Sequence, residues 1–315
     1  MSNVGKLIYI ILVITVLFPF DLIGITGFIT PAIALFIGLV FAFIFKCPFP
    51  GFNKKVSKYL LQASVVGLGF GMNVNESLKS GSEGMMFTVI SVTGVMVMGI
   101  MLGYWMHLNR KTSYLIASGT AICGGSAIAA VGPVIKADGK EMAVSLGVIF
   151  ILNAIALFIF PPIGRALDLT DAQFGTWAAI AIHDTSSVVG AGEAYSPQAL
   201  QVATLIKLTR ALWIIPLALV TMLIFRDKTR HISIPWFIFL FIGAMIINTY
   251  CNLPQVLSEY MVWTAKKGLV LTLFLIGAGL SISTIREVGV RPLVLATLLW
   301  IIIGICSLLV VMNTI

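Results

Sequence analysis

Long, nearly uncharged apolar runs recur along the whole chain, separated by short polar connections, and nothing else in the sequence constrains the fold as tightly. A hydrocarbon layer of ~30 Å is crossed by ~17–25 helical residues. Runs of about that length are read at 6–20, 26–45, 57–72, 85–106, 112–136, 142–163, 172–192, 197–225, 235–250, 262–280 and 292–312. They are continuously apolar, whereas membrane-barrel strands alternate apolar and polar residues, so helices are expected. Only 10% of residues are charged, against ~25% in soluble domains. The expected fold class is therefore an all-α polytopic membrane protein of about eleven segments, with residues 1–315 forming one integral membrane domain. The first run lacks a small-x-small cleavage site and continues into Asp21 and a second run, so it reads as a retained helix.

The net charge of +8 follows from topology. With the N-terminus cytoplasmic, Lys79, Lys136, Lys140, Lys266 and Lys267 fall outside, and Lys207 and Arg210 fall within the membrane. The remaining thirteen of the 20 Lys and Arg lie on the cytoplasmic side, a positive-inside bias. The C-terminus is then extracytoplasmic. The basic excess thus calls for anionic lipid and not for nucleic acid. Cys47, Cys123, Cys251 and Cys306 are scattered, with no disulfide or zinc spacing. No metal site or cofactor is expected.

Two runs do not read as ordinary spans. The first, 112–136, carries Cys123-Gly124-Gly125-Ser126 near its middle, and adjacent glycines each cost ~1 kcal/mol against alanine in a helix. The second, 172–192, is interrupted around His183-Asp184-Thr185-Ser186. ICGGSAIAAVG (122–132) aligns without a gap over IHDTSSVVGAG (182–192). Non-helical backbone at membrane depth is tolerated where it lines a cavity or is buried in protein. Broken helices are a common way for secondary transporters to build sites, although small residues at close helix contacts account for the same glycines. A further echo pairs VGLGFGMNVNESLKSG (66–81) with LFLIGAGLSISTIREVG (273–289), matching Gly69, Gly71 and Gly81 to Gly277, Gly279 and Gly289. The two helices run in opposite senses in the eleven-span scheme, as in a partial inverted repeat.

Ionisable residues inside these runs are the candidate site. Each costs at least ~2.5–3.5 kcal/mol at bilayer depth, which marks them as functional. Lys207 and Arg210 lie three apart, on one face of a helix, too far from its ends to snorkel easily. Asp184 is either their structural ion partner or a coupling charge, and His183 is an imidazole able to titrate near neutral pH. Gly124, Gly125, Ser126, Ser186 and Ser187 would present half-helix N-termini and hydroxyls to an oxyanion. Asn153, mid-span, is either an interhelical hydrogen bond or a site wall. Glu193 is expected to face water.

The runs SGTAICGGSAIAAVGPVIKA, AIHDTSSVVGAG, LIKLTRALWIIPLAL and IGAGLSISTIREVGVRPLVLATLLW resemble the bacterial YeiH-type membrane proteins. That family carries the name sulfate exporter and is grouped with the cation:proton antiporter and anion transporter superfamily. The resemblance covers roughly Thr30 to Val311. It implies a plasma-membrane secondary transporter built from broken helices. One departure is Met72 in GFGMN, where the family usually has a basic residue after the glycine.

The expected function is secondary transport of a small anion of the sulfate or sulfonate type, coupled to H+ or Na+, in the bacterial inner membrane. Two cations against one carboxylate leave a positive surplus. An anion channel is the alternative. An intramembrane hydrolase is a third reading, with Ser126 as nucleophile and His183 as base. No G-x-x-x-x-G-K-[ST] loop is present for an ATP-driven pump. Self-association into a homo-oligomer is left open.

Overall fold

The computed structural model describes residues 3–18, 29–45, 47–225, 236–251, 253–279 and 289–315, without the side chains of residues 3 and 76–87. Lys46, Arg226, Lys228, Arg230 and Arg286 of the basic-residue distribution lie outside the described residues, as do positions 280–288 of the second echo. All regular structure among the described residues is helical. The helices are α1 (Asn3–Leu17), α2 (Pro31–Ile44), α3 (Pro50–Gly69), α4 (Val74–Trp105), α5 (Arg110–Ala121), α6 (Gly125–Val134) and α7 (Gly139–Ala166). Then follow α8 (Asp171–Ala181), α9 (Thr185–Tyr195), α10 (Pro197–Ala211), α11 (Ile214–Phe225), α12 (Trp236–Tyr250), α13 (Gln255–Gly279) and α14 (Val290–Thr314). Stretches 88–105, 139–166, 197–225, 255–279 and 290–314 are long and apolar enough to cross a membrane.

Each apolar run has become a helix or a pair of short helices. The runs at 112–136 and 172–192 divide into α5/α6 and α8/α9, where the glycines and the His-Asp pair stand. The run 197–225, which reads as one continuous span, also divides, at Leu212–Trp213. Pro216 supplies the reason, since it has no N–H to give the Leu212 carbonyl. The turn tightens instead, with Trp213 N–H donating to Arg210 O at 3.0 Å and Ile215 N–H to Leu212 O at 3.1 Å. Helix α4 begins at Val74, well ahead of the apolar run at 85, capped by the Asn73 side chain accepting from Asn75 N–H at 2.9 Å. A helix need not stop where the hydrocarbon does.

The helices pack in two groups. In one, α13 lies between α2 and α3, with α12 against α3 and α1 against α13. In the other, α4 to α11 and α14 surround the broken segments. The groups meet where α2 and α13 touch α9 and where α12 touches α4. Helices α3 and α13 run antiparallel: Asn53 Nδ2 donates to Leu275 O at 2.7 Å, while the opposite ends bring Gly71 to Val262. Two glycines of the second echo hold corresponding places. A Cβ on Gly277 would lie 2.5 Å from Leu35 O of α2, and one on Gly69 would lie 2.8 Å from Phe241 O of α12. Each is the point where its helix meets a neighbour at backbone distance, the packing that lipid-embedded helices use in place of a hydrophobic drive. The pairs α13–α2 and α3–α12 thus correspond under an inversion of the chain sense.

Candidate functional site

The break between α8 and α9 is a case of backbone groups changing partners. In an unbroken helix Ala179 O would accept from His183 N–H, and Ile182 O from Ser186 N–H. Here the N–H groups of His183 and Asp184 donate to Asn153 Oδ1 of α7, at 3.0 and 3.3 Å. The N–H of Ser186 goes to Asp184 Oδ2 at 3.0 Å, and the Ser186 hydroxyl donates to the same oxygen. The carbonyls so released are taken by Lys207 Nζ, which donates to Ile182 O at 2.7 Å and to Ala179 O at 3.2 Å. Asn153 therefore collects the donors of the break, Lys207 its acceptors, and Asp184 caps α9.

The break between α5 and α6 is closed from the same helix. Arg210 Nη2 donates to Ala121 O, the end of α5, at 2.5 Å, and Nη1 donates to Ser91 Oγ of α4 at 3.0 Å. Gly124 turns the chain with φ +63°, ψ −121°, a conformation in which a Cβ is strained, and it gives α6 no side-chain cap. Lys207 and Arg210 are both fully buried, at 0% exposure. Each sits at the C-terminal end of a half-helix, where the aligned peptide dipoles leave partial negative charge, an attraction of up to ~2 kcal/mol in a buried setting.

The two breaks touch. A Cβ on Gly124 would stand at contact distance, 3.4 Å, from His183 O, and it is the positive φ that calls for glycine there. Around it, several buried polar atoms have no hydrogen-bond partner among the described residues: Thr120 Oγ1, Asn153 Nδ2, Arg210 Nε and both ring nitrogens of His183. Orphans at this density are uncommon in a folded interior and point to a ligand, ion or water. The crossing thus brings together two buried basic side chains and a set of buried polar atoms without partners among the described residues.

The sequence-derived residues are only partly assembled here. Gly124, Gly125, His183, Asp184, Ser186, Lys207 and Arg210 belong to the two breaks and their closure. Ser187 is buried in the first turn of α9, but Ser126 lies on the exposed face of α6, and no hydrogen bond joins it to His183. The partners of the two cations are carbonyl and hydroxyl oxygens, and the partner of Asp184 is Ser186. Glu193 is half-buried. Asn153 reads in the sequence only as a lone amide, and its role as acceptor for the second break needs the fold. Ser91 and Thr120 give no signal among the many hydroxyls of these helices.

The chain matches the family model described as conserved hypothetical protein 698 over residues 6–296. A UPF0324 membrane protein of Bacteroides thetaiotaomicron is 58% identical over 313 residues, 96% of this chain and 94% of the relative. One from Porphyromonas gingivalis is 56% identical over 288 residues, covering 90% and 87%. One from Bdellovibrio bacteriovorus is 40% identical over 313 residues, covering 98% and 94%. No solved structure matches. The resemblance to the YeiH-type proteins agrees with these matches, and the chain belongs to the UPF0324 family of membrane proteins.

Proposed function

We propose that this protein is a secondary active transporter of a small oxyanion, with sulfate and sulfonates as the first candidates. The observation that carries the reading is the helix crossing, where Lys207 and Arg210 hold positive charge beside buried donors that lack partners. Gly124 aligns with Asp184 in the internal match of the breaks. At α9 the carboxylate of Asp184 satisfies the helix N-terminus; at α6 the matched position brings no side chain. A bound anion would do for α6 what Asp184 does for α9, with Arg210 alongside.

Residues Lys207, Arg210, Gly124, Gly125, Ser186 and Ser187 form the proposed binding region, and Ser126 contributes through its backbone N–H. His183 and Asp184 carry coupling to H+ or Na+. The protein lies in the bacterial inner membrane with its N-terminus cytoplasmic and its C-terminus extracytoplasmic. Reporter fusions after Ile315 and at Lys55 then show opposite accessibility.

Purified protein in liposomes preloaded with sulfate, sulfite, a sulfonate or a carboxylate tests the reading. Saturable counterflow of one of these anions, dependent on an H+ or Na+ gradient, supports it. Conductance without counterflow indicates a channel, and peptide cleavage a hydrolase.

A further inference from the structure

A recess on one face of the molecule follows α10 as far as Thr204, one helical turn short of Lys207. Thr204 and Leu200 precede Lys207 by one and two helical turns on the same face. With Gln201 they line this recess, of about 100 Å³, against the end of α3 and the middle of α13. That recess shares Gly71, Val262 and Lys266 with a wider cleft of about 590 Å³. The cleft opens between the ends of α3, α12 and α13. Gln201 Nε2 donates to Gly71 O at 3.3 Å across this junction, bridging the two helix groups.

The charges along the cleft and recess are ordered. Glu259 lines the outer cleft and accepts from Gln255 Nε2 at 2.8 Å. Two turns further along α13 is Lys266, which lines both the cleft and the recess. Its neighbour Lys267 lies over the Trp263 ring at 5.8 Å, whereas no hydrogen bond or ion pair among the described residues engages Lys266. Lys266 falls near the midpoint of α13, just before the buried stretch that starts at Gly268. A lysine so far inside a helix of spanning length is costly unless it faces a polar path. Among the described residues, no side chain of opposite charge lines the inner recess.

We propose that the cleft is an antechamber that gathers the anion before the crossing, with Lys266 as its first cation and the Gln201–Gly71 hydrogen bond as the latch below it. This rests on the anion-transport reading above. The station takes the same ligand class, a small hydrated oxyanion, in a wetter setting than the crossing, so it binds weakly and acts on capture. Electrostatic focusing by a cation in a cleft raises local anion concentration by roughly ten-fold or more.

Two measurements test it on the full chain. In the first, Thr204→Cys is placed in a background with Cys47, Cys123, Cys251 and Cys306 replaced by alanine, and reacted in sealed vesicles with an anionic and an uncharged thiol reagent. Both reagents label it from the cleft side, Gln201→Ala speeds both, and Lys266→Gln lowers the anionic rate alone by about fivefold, with Lys266→Arg restoring it. A folded protein whose introduced thiol resists both reagents, or whose anionic rate ignores Lys266, overturns the antechamber. In the second, with the native cysteines present, Lys266→Gln raises the KM for sulfate counterflow about tenfold with Vmax within about twofold. An unchanged KM overturns the antechamber and leaves transport standing. Labelling that depends on Lys266 in a protein that exchanges none of the anions leaves the antechamber standing and removes the transport reading.

Discussion

The two helix breaks are built from matched sequence and closed differently. At α8/α9 five released backbone groups have side-chain partners inside the protein: Asn153 for two donors, Lys207 for two acceptors, and Asp184 for the Ser186 N–H in the first turn of α9. At α5/α6 the acceptor side is closed by Arg210, but the N-terminus of α6 begins at a bare glycine. One break has a carboxylate cap at its second half-helix and the other has none at the matched position. A helix N-terminus attracts an anion, and the missing carboxylate at α6 is the reason the proposal places the solute there.

The largest effect is expected from Lys207→Met. It strips Ala179 O and Ile182 O of their partner, and buried unsatisfied groups cost ~1–3 kcal/mol each. Counterflow should vanish, and the thermal midpoint in detergent should drop below that of Arg210→Met, which frees one carbonyl, that of Ala121, and leaves the Ser91 hydroxyl still bonded to Thr88 O. Equal losses would contradict the unequal closure of the breaks. Asn153→Leu comes next, since it leaves the N–H groups of His183 and Asp184 unpaired, a loss of ~2–6 kcal/mol on the same scale. Asn153→Asp keeps the acceptor oxygen and should lose less. Unfolding curves for the pair would read the difference.

A smaller effect distinguishes capping from coupling. Asp184→Ala removes the α9 cap at ~0.5–2 kcal/mol, whereas Asp184→Asn keeps a good capping group and should unfold close to wild type. If Asp184 also couples ions, Asp184→Asn nonetheless uncouples counterflow from the H+ or Na+ gradient. An Asn variant with intact coupling confines Asp184 to its capping role. The smallest effect is a near-absence. The partners of Asp184 and Arg210 are separate, so their stability changes should add within ~0.5 kcal/mol in the double variant Asp184→Asn with Arg210→Gln. A coupling well above that would restore the direct ion pair that the hydrogen bonds do not include.

Much of this molecule is legible as pattern. Apolar length announces spans because the bilayer sets one length scale for all of them, and the double glycine and the His-Asp pair announce breaks because both are poor helix interior. The split at Leu212–Trp213 has its signal in Pro216, hidden by the strongly apolar run on both sides. What stays illegible depends on tertiary contact. Lys207 and Arg210 read as charges facing a solute, yet their hydrogen bonds go to helix ends from segments 25 and 89 residues away. Such partners carry no sequence mark, since every residue has a carbonyl. The alignment of the breaks groups Ser126 with Ser186, but the helical phase after a non-helical turn is set by that turn, and Gly124 sends Ser126 to the other face.

The central claim of the proposal is that an anion binds at the N-terminal end of α6. Crystals of the purified protein soaked in selenate, with anomalous data at the selenium edge, address it directly. The prediction is a selenium peak at the crossing within hydrogen-bond reach of the Gly125 and Ser126 N–H groups and beside Arg210, with a weaker one near Lys266 allowed. A peak at the N-terminus of α9 in place of the Asp184 carboxylate, or no peak at the crossing in a protein that exchanges sulfate, would contradict it.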